Sequence, residues 1–119
     1  MAKIMIVDDS LVSRKKIRAI LESANYEVIG EAVDGAEALE KYEALLPELV
    51  TLDITMPDLD GITVLKKIME NHPTARVVMI TAFGKGEKLL AALNAGAKNY
   101  ITKPYEEDQI INAIKEALE

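Results

Sequence analysis

The chain has 119 residues, a formal net charge of −6, 50% apolar and 29% charged residues, and no cysteine. That length fits one domain, residues 1–119, large enough to bury most of its apolar surface. The acidic balance argues against direct nucleic-acid binding, which needs a basic footprint, and the missing cysteines exclude disulfides and thiolate metal sites.

The first apolar run, Ile4-Met5-Ile6-Val7, reads as a buried strand that ends at Asp8-Asp9. It is too short for a signal-peptide core, and no later stretch approaches membrane-spanning length, so a cytoplasmic protein with no membrane partner is expected. Ser10 then caps a helix carrying Ile17, Ile20, Leu21 and Ala24 at helical spacing. Tyr26 to Ala32 is the second strand. Asp34-Gly35 marks a turn and cap, and Leu39, Tyr42 and Leu46 line the next helix until Pro47 stops it. Leu49-Val50-Thr51-Leu52 is the third strand, ending at Asp53. A loop, Thr55 to Gly61, leads to a helix with Val64, Leu65, Ile68 and Met69 inward, closed by Asn71-His72-Pro73. Arg76 to Thr81 is the fourth strand. Gly84 and Gly86 loosen the next loop, and Leu89, Leu90 and Leu93 face inward on a helix that Gly96 terminates. Asn99-Tyr100-Ile101-Thr102 is the fifth strand and runs into Lys103-Pro104. A final helix carries Ile110, Ile111, Ile114, Ala117 and Leu118. The scattered methionines read as core.

Strands alternating five times with helices predict an α/β fold: a doubly wound parallel sheet covered on both faces, with right-handed crossovers. This pattern leaves the strand order open. The polar sites all follow strands, and in open α/β sheets the C-terminal strand ends share the ligand crevice. Asp8, Asp9, Asp53 and Lys103 would therefore meet there, a set suited to a metal cation and an anion.

Each site alone has a plainer explanation. Asp8-Asp9 is equally well a solvated turn before a helix N-terminus. The functional reading is a hard-cation site, because Mg²⁺ takes carboxylate oxygens and keeps several waters. Asp53 adds a third acid, which is unfavourable beside the other two unless a cation intervenes. Lys103 alone reads better as a surface lysine before a turn proline, although an X–Pro bond accepts the cis form, one way to aim the ammonium inward. Thr81 is by default a β-former whose hydroxyl is also a donor for a phosphoryl oxygen. Arg14, Lys15, Lys16 and Arg18 read as a solvated helix face, with a docking surface the minority reading. His72 reads as a helix-terminal residue.

As an ordered set these residues are specific. Ile6-Val7-Asp8-Asp9-Ser10, Leu52-Asp53-Ile54-Thr55-Met56-Pro57, Asp60-Gly61, Met79-Ile80-Thr81-Ala82 and Tyr100-Ile101-Thr102-Lys103-Pro104-Tyr105 resemble the receiver domain of two-component response regulators along essentially the whole chain. The resemblance implies a flavodoxin-like five-stranded parallel sheet in order 2-1-3-4-5. It implies that Asp53 is the phosphoacceptor, and that Asp9, Asp53 and the Thr55 carbonyl bind Mg²⁺ directly while Asp8 acts mainly through water. Lys103 and Thr81 would contact the phosphoryl oxygens, and Thr81 with Tyr100 would form the switch. Thr55 and Phe83 occupy positions linked in that family to dephosphorylation rate. The implied phosphodonor is a sensor histidine kinase or phosphotransfer protein. The signal would emerge on the face of helix four, strand five and helix five, directed at a downstream protein and with no direct nucleic-acid contact. A monomer that catalyses only its own phosphorylation and dephosphorylation is expected.

Other classes fit less well. A haloacid-dehalogenase-type phosphatase would want a second Asp where Thr55 stands, and a flavin or nucleotide module would want a phosphate-binding loop where Asp8-Asp9 stand. A purely structural interaction domain would not need the Asp, Thr and Lys set. Within the family, three roles stay open: a chemotaxis-type receiver acting on a flagellar motor switch, a phosphorelay intermediate, and a receiver cut from a longer regulator. The Val50 to Pro57 stretch resembles chemotaxis receivers most.

Overall fold

Alternating side-chain direction along the strands builds two apolar layers on one sheet. The computed structural model describes residues 1–82 and 86–119, so the expectations on Phe83 and Gly84 lie outside the described residues. Ten elements alternate: β1 (Lys3–Val7), α1 (Leu11–Ser23), β2 (Glu27–Ala32), α2 (Gly35–Leu45), β3 (Leu49–Leu52), α3 (Gly61–Asn71), β4 (Val77–Thr81), α4 (Glu87–Asn94), β5 (Asn99–Thr102) and α5 (Glu107–Leu118). All strand pairs are parallel, in the order β2-β1-β3-β4-β5. On β1, Met5 and Val7 join the layer under α2, α3 and α4, whereas Ile4 and Ile6 join the layer under α1 and α5. The last four residues of β1 and all of β3 and β4 are buried, as expected for strands covered on both faces.

The caps expected at Ser10 and Asp34 form, and Asp60, read from the sequence only as part of a loop, adds a third. Ser10, Asp34 and Asp60 each accept a hydrogen bond from the backbone N–H three residues on, opening α1, α2 and α3. Gly96, at φ 110°, follows the end of α4. No helix among the described residues is long and apolar enough to cross a membrane.

Several side chains depart from the sequence pattern. Leu90 and Leu93 of α4 are 60% and 43% exposed rather than inward. This helix turns Ala91, Ala92 and Ala95 to the core instead, because small residues let it lie close to the sheet. Leu46 is also exposed: it is the left-handed cap of α2 at φ 45°, where helical spacing no longer applies. Arg14 is buried and not part of a solvated face, although Lys15 and Lys16 are exposed. Met5 and Met79 are core, but Met1 is exposed.

Candidate functional site

Parallel pairing of β1 with β3 places Val7 beside Leu52, so Asp8 and Asp53 leave the sheet at the same end. The Asp53 N–H donates to the Val7 carbonyl at 3.1 Å, which fixes the two exits relative to each other. β4 and β5 pair Thr81 with Thr102, and the Lys103 N–H donates to the Thr81 carbonyl at 2.8 Å. The chain reverses its winding direction between β1 and β3, which makes this edge the switch point of the sheet, where ligands bind in open α/β folds.

Lys103 sits between the two buried acids. Its Nζ donates to Asp8 Oδ2 at 2.8 Å and to Asp53 Oδ2 at 3.0 Å. Burial pulls the Lys103 pKa down, but its hydrogen bonds and charge attraction to Asp8 and Asp53 outweigh that and hold it above the ordinary lysine value. The ammonium is the cation that the crowded carboxylates require. Asp8 also accepts from the Ser10 N–H at 2.8 Å and the Ser13 hydroxyl at 2.6 Å, and Asp53 accepts from the Thr55 N–H at 3.2 Å. Asp9 is exposed at the rim. One oxygen from each of Asp8, Asp9 and Asp53 lies within 4.8 Å of the others. A clustered set of hard oxygen donors with one open side suits Mg²⁺, which keeps part of its water shell.

Thr81 is fully buried at the end of β4. Tyr100 is half-buried against the α2–α4 layer, and its pKa is raised by burial and by the negative charge of Asp53. Thr55 is exposed in the loop after β3. The Lys103–Pro104 bond is cis. Beside Lys103 a cleft of about 400 Å³ opens between α1 and the loop before α5, lined by Val12, Ser13, Lys16, Pro104 and Tyr105 among others. Lys16 Nζ lies 4.8 Å from the centre of the Tyr105 ring.

The site also recruits residues that the sequence reading did not assign to it. Ser13 reaches Asp8, and Arg14 donates from Nη1 to the Asp8 carbonyl at 2.8 Å while its Nε pairs with Glu31 at 2.9 Å. Both lie one helical turn after the Ser10 cap, a spacing that turns them back toward the end of β1. Gly61 has no room for a side chain, because a β-carbon there would collide with the Asp53 carbonyl oxygen. Asp58 crosses to α2, where it accepts from the Gly35 N–H at 2.7 Å and the Ala36 N–H at 2.9 Å. No local pattern signals that contact.

Residues 4–115 match the family model described as the response regulator receiver domain. The chain belongs to that family. It is 48% identical over 118 residues to the chemotaxis protein CheY of Treponema pallidum, covering 98% of this chain and 82% of the relative. It is 45% identical over 116 residues to CheY of Bacillus subtilis, covering 98% and 97%. Among solved structures it resembles a chain of the CheX-CheY-BeF3-Mg complex from Borrelia burgdorferi, with TM-score 0.96, 39% identity and coverage of 99% and 90%. This receiver is thus CheY-like in sequence and fold, and the expected α/β class and strand order are both found.

Proposed function

We propose that this receiver is a phosphorylation-activated signalling protein in which Asp53 accepts a phosphoryl group from a phosphohistidine. One observation carries the reading: the Lys103 ammonium bridges Asp53 and Asp8 at the mouth of the crevice, with Asp9 on its rim. An Asp53 oxygen attacks phosphorus, the P–N bond to the donor imidazole breaks, and an acyl phosphate forms as the imidazole takes up a proton. Positioning and charge neutralisation dominate such transfers. Lys103 would move from the two carboxylates to the incoming phosphoryl oxygens, and the Thr81 hydroxyl would donate to one of them. Asp9, Asp53 and the Thr55 carbonyl would hold Mg²⁺ directly and Asp8 through water. When bound, Mg²⁺ supplies positive charge against the phosphoryl oxygens. The cleft beside Lys103, lined by α1 and the loop before α5, is where we place the donor.

Phosphorylation adds about −1.5 to −2 of charge beside Thr81, and we infer that Thr81 and Tyr100 pass this change to the face of α4, β5 and α5. Leu90 and Leu93 are exposed on α4, one of the elements of that face. A chemotaxis role is supported by the CheY relatives, and control of a flagellar motor switch is the output we propose for it. Intact-protein mass after incubation with acetyl phosphate and Mg²⁺ tests the chemistry. The expected result is one phosphoryl addition to the wild type, absent with EDTA and absent in Asp53→Asn. Addition that persists in Asp53→Asn sinks the assignment.

A further inference from the structure

We propose that Asp58 is a positioning residue for the metal site: by clamping the middle of the loop between β3 and α3 onto the N-terminus of α2, it sets where Thr55 presents its carbonyl. The inference rests on the metal-dependent reading of the site.

The loop is anchored at both ends. Thr55 N–H holds Asp53 at 3.2 Å, Gly61 N–H donates to the Ile54 carbonyl at 2.7 Å, and Asp60 caps α3 through the Thr63 N–H at 2.9 Å. Between these anchors Thr55, Pro57 and Asp58 are exposed, and Met56 and Leu59 are only partly buried. Asp58 ties that exposed stretch down, using both carboxylate oxygens on the N–H groups of Gly35 and Ala36. Those donors open α2, where the helix dipole favours a negative charge, and Asp34 already serves the Glu37 N–H at 2.8 Å. The fit is close from the helix side as well: a β-carbon on Gly35 would sit 2.7 Å from Leu59 Cβ and 3.2 Å from Asp58 Oδ1. A contact between residues more than twenty positions apart in sequence thus governs a loop that carries one of the three proposed direct metal ligands. Losing a group that orients a metal ligand typically costs about 10–100-fold in metal affinity.

The test measures Mg²⁺ affinity by calorimetry and, in EDTA, hydrogen exchange at the Thr55 and Met56 amides. It compares the wild type with Asp58→Ala, Asp58→Asn and Gly35→Ala, all well below their melting temperatures. Asp58→Ala should bind Mg²⁺ roughly tenfold more weakly and exchange faster at both amides. Asp58→Asn, which keeps one acceptor oxygen, should recover part of both. Gly35→Ala should displace the loop from the helix side and weaken Mg²⁺ as well. Undiminished Mg²⁺ affinity with unchanged exchange in Asp58→Ala overturns the inference alone, even if that variant melts lower. Absence of Mg²⁺ binding in the wild type overturns the metal reading and this inference with it.

Discussion

Lys103 is the residue on which the crevice balances. Asp8 is 1% exposed and Asp53 6%, so each depends on the shared ammonium for its charge to be tolerable. Removing one partner of a buried ion pair leaves the other uncompensated and is strongly destabilising. Lys103→Met should therefore lower the unfolding free energy in EDTA by about 2 kcal/mol, somewhat under the range for fully buried pairs because Lys103 is partly exposed. Millimolar Mg²⁺ should narrow the gap by giving the carboxylates another cation. Denaturant unfolding with and without Mg²⁺ checks both parts, and an EDTA stability equal to wild type contradicts this account. Because the Lys103 pKa lies above its unfolded value, its stabilisation is fully present below the unfolded pKa near 10.4 and is lost only as pH rises through the folded value. Lys103 is thus charged throughout the neutral range.

At the scale of elements, Glu31 links β2 to α1. Arg14 Nε meets it at 2.9 Å and Arg18 Nε at 2.7 Å, one guanidinium on each carboxylate oxygen. Burial raises the Glu31 pKa, but the hydrogen bonds and charges of Arg18 and Arg14 outweigh it and hold the value below the usual carboxylate range. A depressed pKa means stability present above the unfolded value, near 4.3, and lost as pH falls through the folded one. Glu31→Gln should cost about 1 kcal/mol at pH 7, since the pair is partly exposed, and the difference should vanish toward low pH. Unfolding curves of both proteins from pH 7 to pH 3 decide it; a pH-independent difference means packing rather than charge is responsible. The same scale explains two misread helices. The α4 pattern offers a leucine stripe and an alanine stripe, and only contact with the sheet selects the alanines. The α1 charges look alike in sequence, yet Arg14 is drawn inward by a backbone carbonyl and a carboxylate on other elements.

At the scale of the molecule, the metal reading predicts a linkage between ion and fold. A ligand that binds only the folded state stabilises it by mass action, about 1.4 kcal/mol at ten times its dissociation constant. For a domain of this size that is an upward shift of about 5 °C in Tm. Thermal melts should show this rise with Mg²⁺, its reversal by EDTA, and its loss in Asp9→Asn. A Tm indifferent to Mg²⁺ across the millimolar range contradicts a cation site at these three acids.

What the sequence by itself determined is the set of strands and the residues at their ends. Short β-branched runs announce themselves locally, and Asp8, Asp53, Thr81 and Lys103 are placed simply by following them. Caps at Ser10 and Asp34 were legible for the same reason, because each acts within one turn. The pattern alone did not order the strands; the family resemblance did, and the structure agrees. Only the tertiary structure decided which apolar stripe of α4 is covered, that Arg14 is buried, and that Asp58 closes on α2. Each of those outcomes depends on a partner far away in the chain, and residue periodicity carries no information about what lies opposite.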